Sequence, residues 1–156
     1  MGKDVAITCS CGKVTGTVHN LSAASTNHVV CACASCQAYA HYLGRAEDML
    51  DADGGTNIFQ LDPKTFEITD GFDHIACMSI TPKGPLRWYA DCCKTPLGNS
   101  FRRGGVPFLG VLPISVGHKG TSEDVIKLVG PVRAAVNQVG TVPFTERLKT
   151  IAMLAR

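Results

Sequence analysis

The chain has 156 residues, enough for one ordinary domain that buries roughly 70% of its unfolded surface. Hydrophobic residues make up 45% and charged residues 18%, which excludes a disordered chain. Fifteen Lys and Arg against thirteen Asp and Glu leave a net charge of +2, too small for a general nucleic-acid or membrane binder.

Met1-Gly2-Lys3-Asp4-Val5 carries no apolar run of the signal-peptide kind, and Ala6 stands where a myristoylation start wants Ser or Thr. The segments 4–9 and 13–19 are β-rich and partly alternating, and Cys9-Ser10-Cys11-Gly12 between them reads as a hairpin tip. A third β-prone run, Asn27 to Cys31, leads into Cys33 and Cys36. Residues 37–43 have helical composition and end at Gly44, a C-cap residue. Strands are predicted at 56–61, 66–70, 74–80 and 86–90, separated by turns at Asp62-Pro63, Asp70-Gly71 and Pro82-Lys83-Gly84-Pro85. Val106 to Val116 is the longest apolar stretch, but Pro107, Gly110 and Pro113 interrupt it, so it cannot span a bilayer. Val125 to Val129 forms a strand or a short helix. Leu148, Ile151, Ala152 and Ala155 predict an amphipathic helix over 143–156, docked on the β core. The expected fold is mainly β and antiparallel, with short helices and a C-terminal helix. Residues 1–116 would form the β domain, and 117–156 an extension packed on it.

Eight cysteines are the most informative count, and seven fall in three tight groups. A cytosolic chain keeps its thiols reduced, so such clustering argues for metal and against a disulfide framework. Cys9-x-Cys11 puts two sulfurs on one face of an extended chain, with Gly12 turning the backbone behind them. Cys31-x-Cys33-x-x-Cys36 supplies three more, and a helix start there would lower the thiol pKa of Cys36. Cys92-Cys93 completes the set. Cys77, between Ala76 and Met78, reads as a core thiol. One zinc takes four ligands, so seven divide into a closed structural site and an open one. Cys9 and Cys11 with one or both of Cys92 and Cys93 would make the first; Cys31, Cys33 and Cys36 would make the second, labile one.

Three motifs in order, Cys9-Ser10-Cys11-Gly12-Lys13-Val14, Cys31-Ala32-Cys33-Ala34-Ser35-Cys36 and Arg87-Trp88-Tyr89-Ala90-Asp91-Cys92-Cys93-Lys94-Thr95-Pro96-Leu97, resemble the glutathione-dependent formaldehyde-activating enzyme and centromere protein V family. The resemblance covers roughly residues 4 to 115. It implies a zinc-clamped β-tent, a structural zinc at Cys9, Cys11 and the late cysteines, and a functional zinc at Cys31, Cys33 and Cys36. It also implies carbon–sulfur lyase chemistry that joins glutathione to formaldehyde. The last motif departs from the family pattern of C-x-x-C followed by Gly. Ala90 stands at the first cysteine, Cys92 has moved two residues along, and Lys94 replaces the Gly. Adjacent cysteines on a strand face opposite ways, so Cys92 joins Cys93 on one zinc only if the backbone bends. Otherwise Cys92 is core, or a weakly reactive thiol.

Glutathione would bring two carboxylates, for which Arg87, Lys94 and Arg102 are the candidate contacts, although each alone also reads as part of a solvated face or turn. His28 and His41 flank the three-cysteine group, and a hydrogen-bonded or solvated histidine is the plainer reading of each. Trp88 and Tyr89 read as core. The partner expected is a small-molecule thiol such as glutathione, with no nucleic acid and no membrane, and a homo-oligomer stays open. Two other functions fit the residues, a non-catalytic zinc-stabilised binding module and a redox sensor using Cys92 and Cys93.

Overall fold

Short alternating segments become strands here because each has one apolar face to bury. In β2 (Thr15–Leu21), Gly16, Val18 and Leu21 point inward while Thr17 and His19 are only partly covered. The computed structural model describes residues 1–117 and 123–136, and among these it contains ten strands and three α-helices. The fold is mainly β. The predicted helix over 143–156 lies outside the described residues.

β1 (Lys3–Thr8) and β2 form the expected hairpin, and β5 (Phe66–Asp70) joins β2 to give a three-stranded sheet in the order β1-β2-β5. β2 and β5 approach closely at Gly16, where a Cβ would lie 2.1 Å from the Glu67 carbonyl oxygen. The second sheet has seven strands in the order β10-β3-β4-β9-β8-β7-β6. These are β3 (Asn27–Cys31), β4 (Thr56–Leu61), β6 (Ile75–Met78), β7 (Leu86–Ala90), β8 (Thr95–Ser100), β9 (Leu109–Val111) and β10 (Ala134–Val136). All neighbours are antiparallel except β10, which runs parallel to β3 and pairs Val136 with Cys31.

The helix predicted over 37–43 is α1 (Ala34–Tyr42), and it starts earlier because Cys33 acts as its N-cap. Cysteine is not among the usual capping residues, which hid this start. Gly44 takes a left-handed φ of 66°, as its reading as a helix end requires. A short α2 (Ala46–Met49) follows, and the segment around Val125 to Val129 is α3 (Glu123–Val129), a helix.

The core has two parts. Ile7, Val14 and Val18 of the small sheet meet Phe59, Leu61, Leu97 and Val111 of the large one, closed by Val125 and Val129 of α3. Under α1, Tyr39, Ala40 and Leu43 pack on Val29, Ile58, Tyr89 and Leu112, together with Cys31 and Cys36. Tyr89 is core, as read, and Trp88 is partly buried with its indole N–H donating to Ser100 Oγ at 2.9 Å. Cys77 corrects its reading. It is exposed on β6, the edge strand, on the face that none of the described residues covers. Its neighbours Ala76 and Met78 take the inward positions.

On the outer face of the small sheet His19 bridges Asp4 and Glu67, with ring nitrogen to carboxylate distances of 3.0 Å each. The two carboxylates, Asp4 first, raise the imidazole pKa above 6.5. The Asn20 N–H and then His19 lower that of Asp4. A raised folded-state value favours the protonated ring in the fold. Its stabilisation is therefore complete below the unfolded value of 6.5 and disappears as pH climbs through the raised one. Thermal denaturation is expected to give wild type a higher midpoint than His19→Gln at about pH 5.5, and no advantage at about pH 8.5.

Candidate metal centre

Four of the sequence-predicted ligands converge from the two sheets. The turn after β1 carries Cys9 and Cys11, held by the Cys9 N–H to the Val14 carbonyl (3.0 Å) and the Gly12 N–H to the Cys9 carbonyl (2.9 Å), with Gly12 at a φ of 79°. The turn between β7 and β8 carries Cys92 and Cys93. Here the backbone does bend. Residues 91–94 form a turn, the Cys93 N–H reaches the Ala90 carbonyl at 3.4 Å, and Lys94 adopts a φ of 56° in the left-handed region. That bend brings both adjacent cysteines into one group with Cys9 and Cys11, which leaves neither in the role of an isolated core thiol.

The sulfur separations test whether a metal fits. Zinc–sulfur bonds of about 2.3 Å in a tetrahedron place the sulfurs about 3.8 Å apart. Cys9 to Cys11 measures 3.6 Å, Cys9 to Cys92 3.9 Å, Cys11 to Cys92 3.3 Å and Cys92 to Cys93 3.9 Å. The four residues therefore fit a tetrahedral ion. Outer contacts orient them: the Val14 N–H donates to Cys9 Sγ at 3.2 Å, and Thr95 Oγ1 lies 3.1 Å from Cys93 Sγ. Burial pushes the Cys93 thiol up, but the Thr95 hydroxyl and the backbone of Cys11 and Thr95 outweigh it and bring the pKa down to about 6. Cys92 goes the other way, to about 12, through burial and then hydrogen bonds with its fellow thiols.

The second group is Cys31, Cys33 and Cys36, whose sulfurs all lie within 4.8 Å of one another. Cys31 ends β3, Cys33 caps α1, and Cys36 sits in the first turn of α1. Cys31 and Cys36 are buried, whereas Cys33 is half-buried and keeps the group in reach of solvent. The helix N-terminus does not depress Cys36 as its position predicts. The Cys36 N–H donates to Cys33 Sγ at 3.3 Å, and the Cys36 thiol is pushed up by hydrogen bonds with Cys31 and Cys33 and by burial, against the pull of Arg87. Three sulfurs leave one position of a tetrahedron for another ligand.

Arg87 is not on a solvated turn. It is 2% exposed, with its guanidinium against the second group: Nη1 and Nη2 each lie 3.8 Å from Cys36 Sγ. Lys94 is exposed, paired with Asp91 and 5.4 Å from the centre of the Tyr89 ring. Arg102 is exposed and donates from Nε to the Gly84 carbonyl at 3.1 Å. His28 is buried away from both groups, 3.0 Å from the Gly130 carbonyl and 2.8 Å from Asn57 Oδ1, and His41 is exposed. Sequence reasoning missed three supports of the site. Arg45, just past α1, reaches Ser10 Oγ and Thr95 Oγ1, while Ser35 and Asn99 hold Arg87. Ser35 lies inside the Cys31–Cys36 motif, so proximity in sequence was its signal. Asn99 faces Arg87 only through the β7–β8 register.

The model of a family of unknown function, DUF6151, matches residues 1–143, and the chain belongs to that family. No curated protein matches it. Among solved structures, a structural-genomics crystal structure of a Rhodobacter sphaeroides protein is similar at a TM-score of 0.53 and 17% identity, over 84% of this chain and 99% of that one. At that identity the likeness is one of fold alone.

Protein purified under reducing conditions is expected to carry two metal ions per chain by elemental analysis, one for each group. Cys9→Ser should lose the ion between the sheets and about 4 kcal/mol or more of stability. Cys36→Ser should lose one ion with little change in thermal midpoint; equal destabilisation by both would abolish the distinction between the groups. Lys94→Gly relieves the left-handed backbone and is expected to raise chemical-denaturation stability by about 0.5–1 kcal/mol.

Proposed function

We propose that this member of DUF6151 is a zinc protein of thiol–carbonyl chemistry, with a structural ion at Cys9, Cys11, Cys92 and Cys93 and a functional one at Cys31, Cys33 and Cys36. The observation that carries the reading is the contrast between the groups. One has four sulfurs and is complete, while the other has three and a half-buried edge at Cys33. Zinc held by three thiolates is a soft Lewis acid with a coordination position for a small thiol or a carbonyl oxygen.

The residues around it supply orientation. β3 and the first turn of α1 hold the three sulfurs on packed backbone, and Tyr39, Tyr89 and Leu112 exclude water from the inner side. The resemblance of the three cysteine motifs to the glutathione-dependent formaldehyde-activating family supports glutathione as the thiol and formaldehyde as the carbonyl, in a carbon–sulfur lyase type of reaction. For the carboxylates of such a thiol, the exposed cation beside this part of the fold is Lys94. It lies over Tyr89, which packs in the same cluster as Cys31 and Cys36. Arg102 is a further exposed cation, and Arg87 is turned inward. Free thiols at all eight cysteines suit a reducing, cytoplasmic setting.

A second reading, a redox-labile thiol centre, is favoured by one observation, the exposed Cys11 at 3.3 Å from Cys92. Under that reading a mild oxidant takes two electrons from the pair, forms a disulfide and releases metal before the fold is lost.

Exchange NMR on glutathione and formaldehyde tests the leading reading. Zinc-loaded protein is expected to speed adduct exchange in proportion to its concentration, and Cys36→Ser to remove that effect without unfolding. Exchange no faster than in buffer would refute the catalytic assignment.

A further inference from the structure

Arg87 is a buried cation that meets no carboxylate among the described residues. None of the ion pairs among the described residues involves it. Removing a guanidinium from water is costly unless negative charge and hydrogen-bond acceptors meet it. The acceptors present are Ser35 Oγ at 2.7 Å, Asn99 Oδ1 at 3.2 Å and Cys36 Sγ at 3.8 Å from both terminal nitrogens. Two of these are neutral, so among the described residues the only partner able to bring negative charge is the sulfur. The Tyr39 ring lies 5.2 Å from the guanidinium carbon and fixes its plane. Every contact serves to aim this cation at the three-cysteine group.

The charge balance there explains the aim. Three thiolates around a divalent ion leave one negative charge in a buried place. The four-sulfur group carries more negative charge when filled, but it sheds it toward water, since Cys11 is exposed. Cys31 and Cys36 cannot do that. We infer that Arg87 is the counter-cation of the three-cysteine group, a positioning residue whose buried charge sets how tightly that group holds a metal ion. This role also accounts for the residue type. A lysine could offer a point charge but not the planar fork that spans Ser35, Asn99 and Cys36 together. With 2% exposure, Arg87 has no free face for the carboxylate of an incoming thiol.

The inference rests on the metal-holding part of the proposed function and is independent of its thiol–carbonyl part. Chelator competition with cobalt and then zinc, on the full chain, measures the affinity of each group separately, with Cys36→Ser identifying the second. Arg87→Met is expected to weaken the second group about tenfold or more and leave the first unchanged, with Arg87→Lys in between. Asn99→Asp gives the guanidinium a competing carboxylate at nearly unchanged volume, and should weaken the second group in the same direction. Unchanged second-group affinity in Arg87→Met and Asn99→Asp would overturn the role. Equal weakening of both groups would also overturn it, by making Arg87 a packing residue, as would a wild-type chain whose second group takes up neither metal. Loss of exchange catalysis with this affinity pattern intact would sink only the proposed chemistry.

Discussion

The convergence of four sulfur atoms from two hairpin turns is the constraint on which the architecture depends. The small sheet contributes Cys9 and Cys11, and the large sheet contributes Cys92 and Cys93. The apolar interface behind them, Ile7 and Val14 against Phe59 and Leu97, fixes the mean distance between the sheets. The two tips are joined by the sulfur cluster and by hydrogen bonds between Ser10 and Thr95, from the Ser10 N–H to Thr95 Oγ1 and from the Thr95 hydroxyl to Ser10 Oγ, each 2.9 Å. A cation bound by all four thiols would hold the two tips together and so couple its uptake to the packing of the two sheets.

Most of this was legible in local pattern. β-rich composition, partial alternation and turn residues identified β1 to β7, and the C-x-C spacing identified Cys9 and Cys11 as sharing a face, whereas the role of Cys92 beside Cys93 stayed open. What failed to show was decided by distant packing. Cys77 has an apolar sequence context like that of a core residue, but β6 is an edge strand, and edge position follows from sheet order alone. Arg87 reads in sequence as part of a solvated face or turn, and becomes buried because α1 packs over β7: Ser35 and Cys36 meet its guanidinium and the Tyr39 hydroxyl donates to the Trp88 carbonyl. β10 is a three-residue parallel strand whose partner precedes it by about a hundred positions, and no local pattern announces such a pairing. The bend at residues 91–94 was also invisible, because lysine seldom takes a left-handed conformation.

The two thiol groups show how one ligand type serves two environments. The first lies at the surface between turns, with the Arg45, Ser10 and Thr95 side chains around it and Cys11 exposed. The second lies on a strand end and a helix start, under aromatic cover, with the Arg87 guanidinium of β7 against it. Neither group resembles the other in support, although both are made of cysteine. Their separation in exposure and in charge follows from where the chain places them.

α1 gives this arrangement a further property. Cys33 caps its first turn, and Arg45, just beyond its last, rests on Ser10 and Thr95 beside the other group. Nine residues of α-helix form a stiff rod about 13 Å long. Its two ends therefore touch both thiol groups: the first turn carries Cys36, and the residue past the last turn is anchored to the side chains beside Cys9 and Cys93. The spacing between the two groups is thus spanned by one helix rather than by a loop.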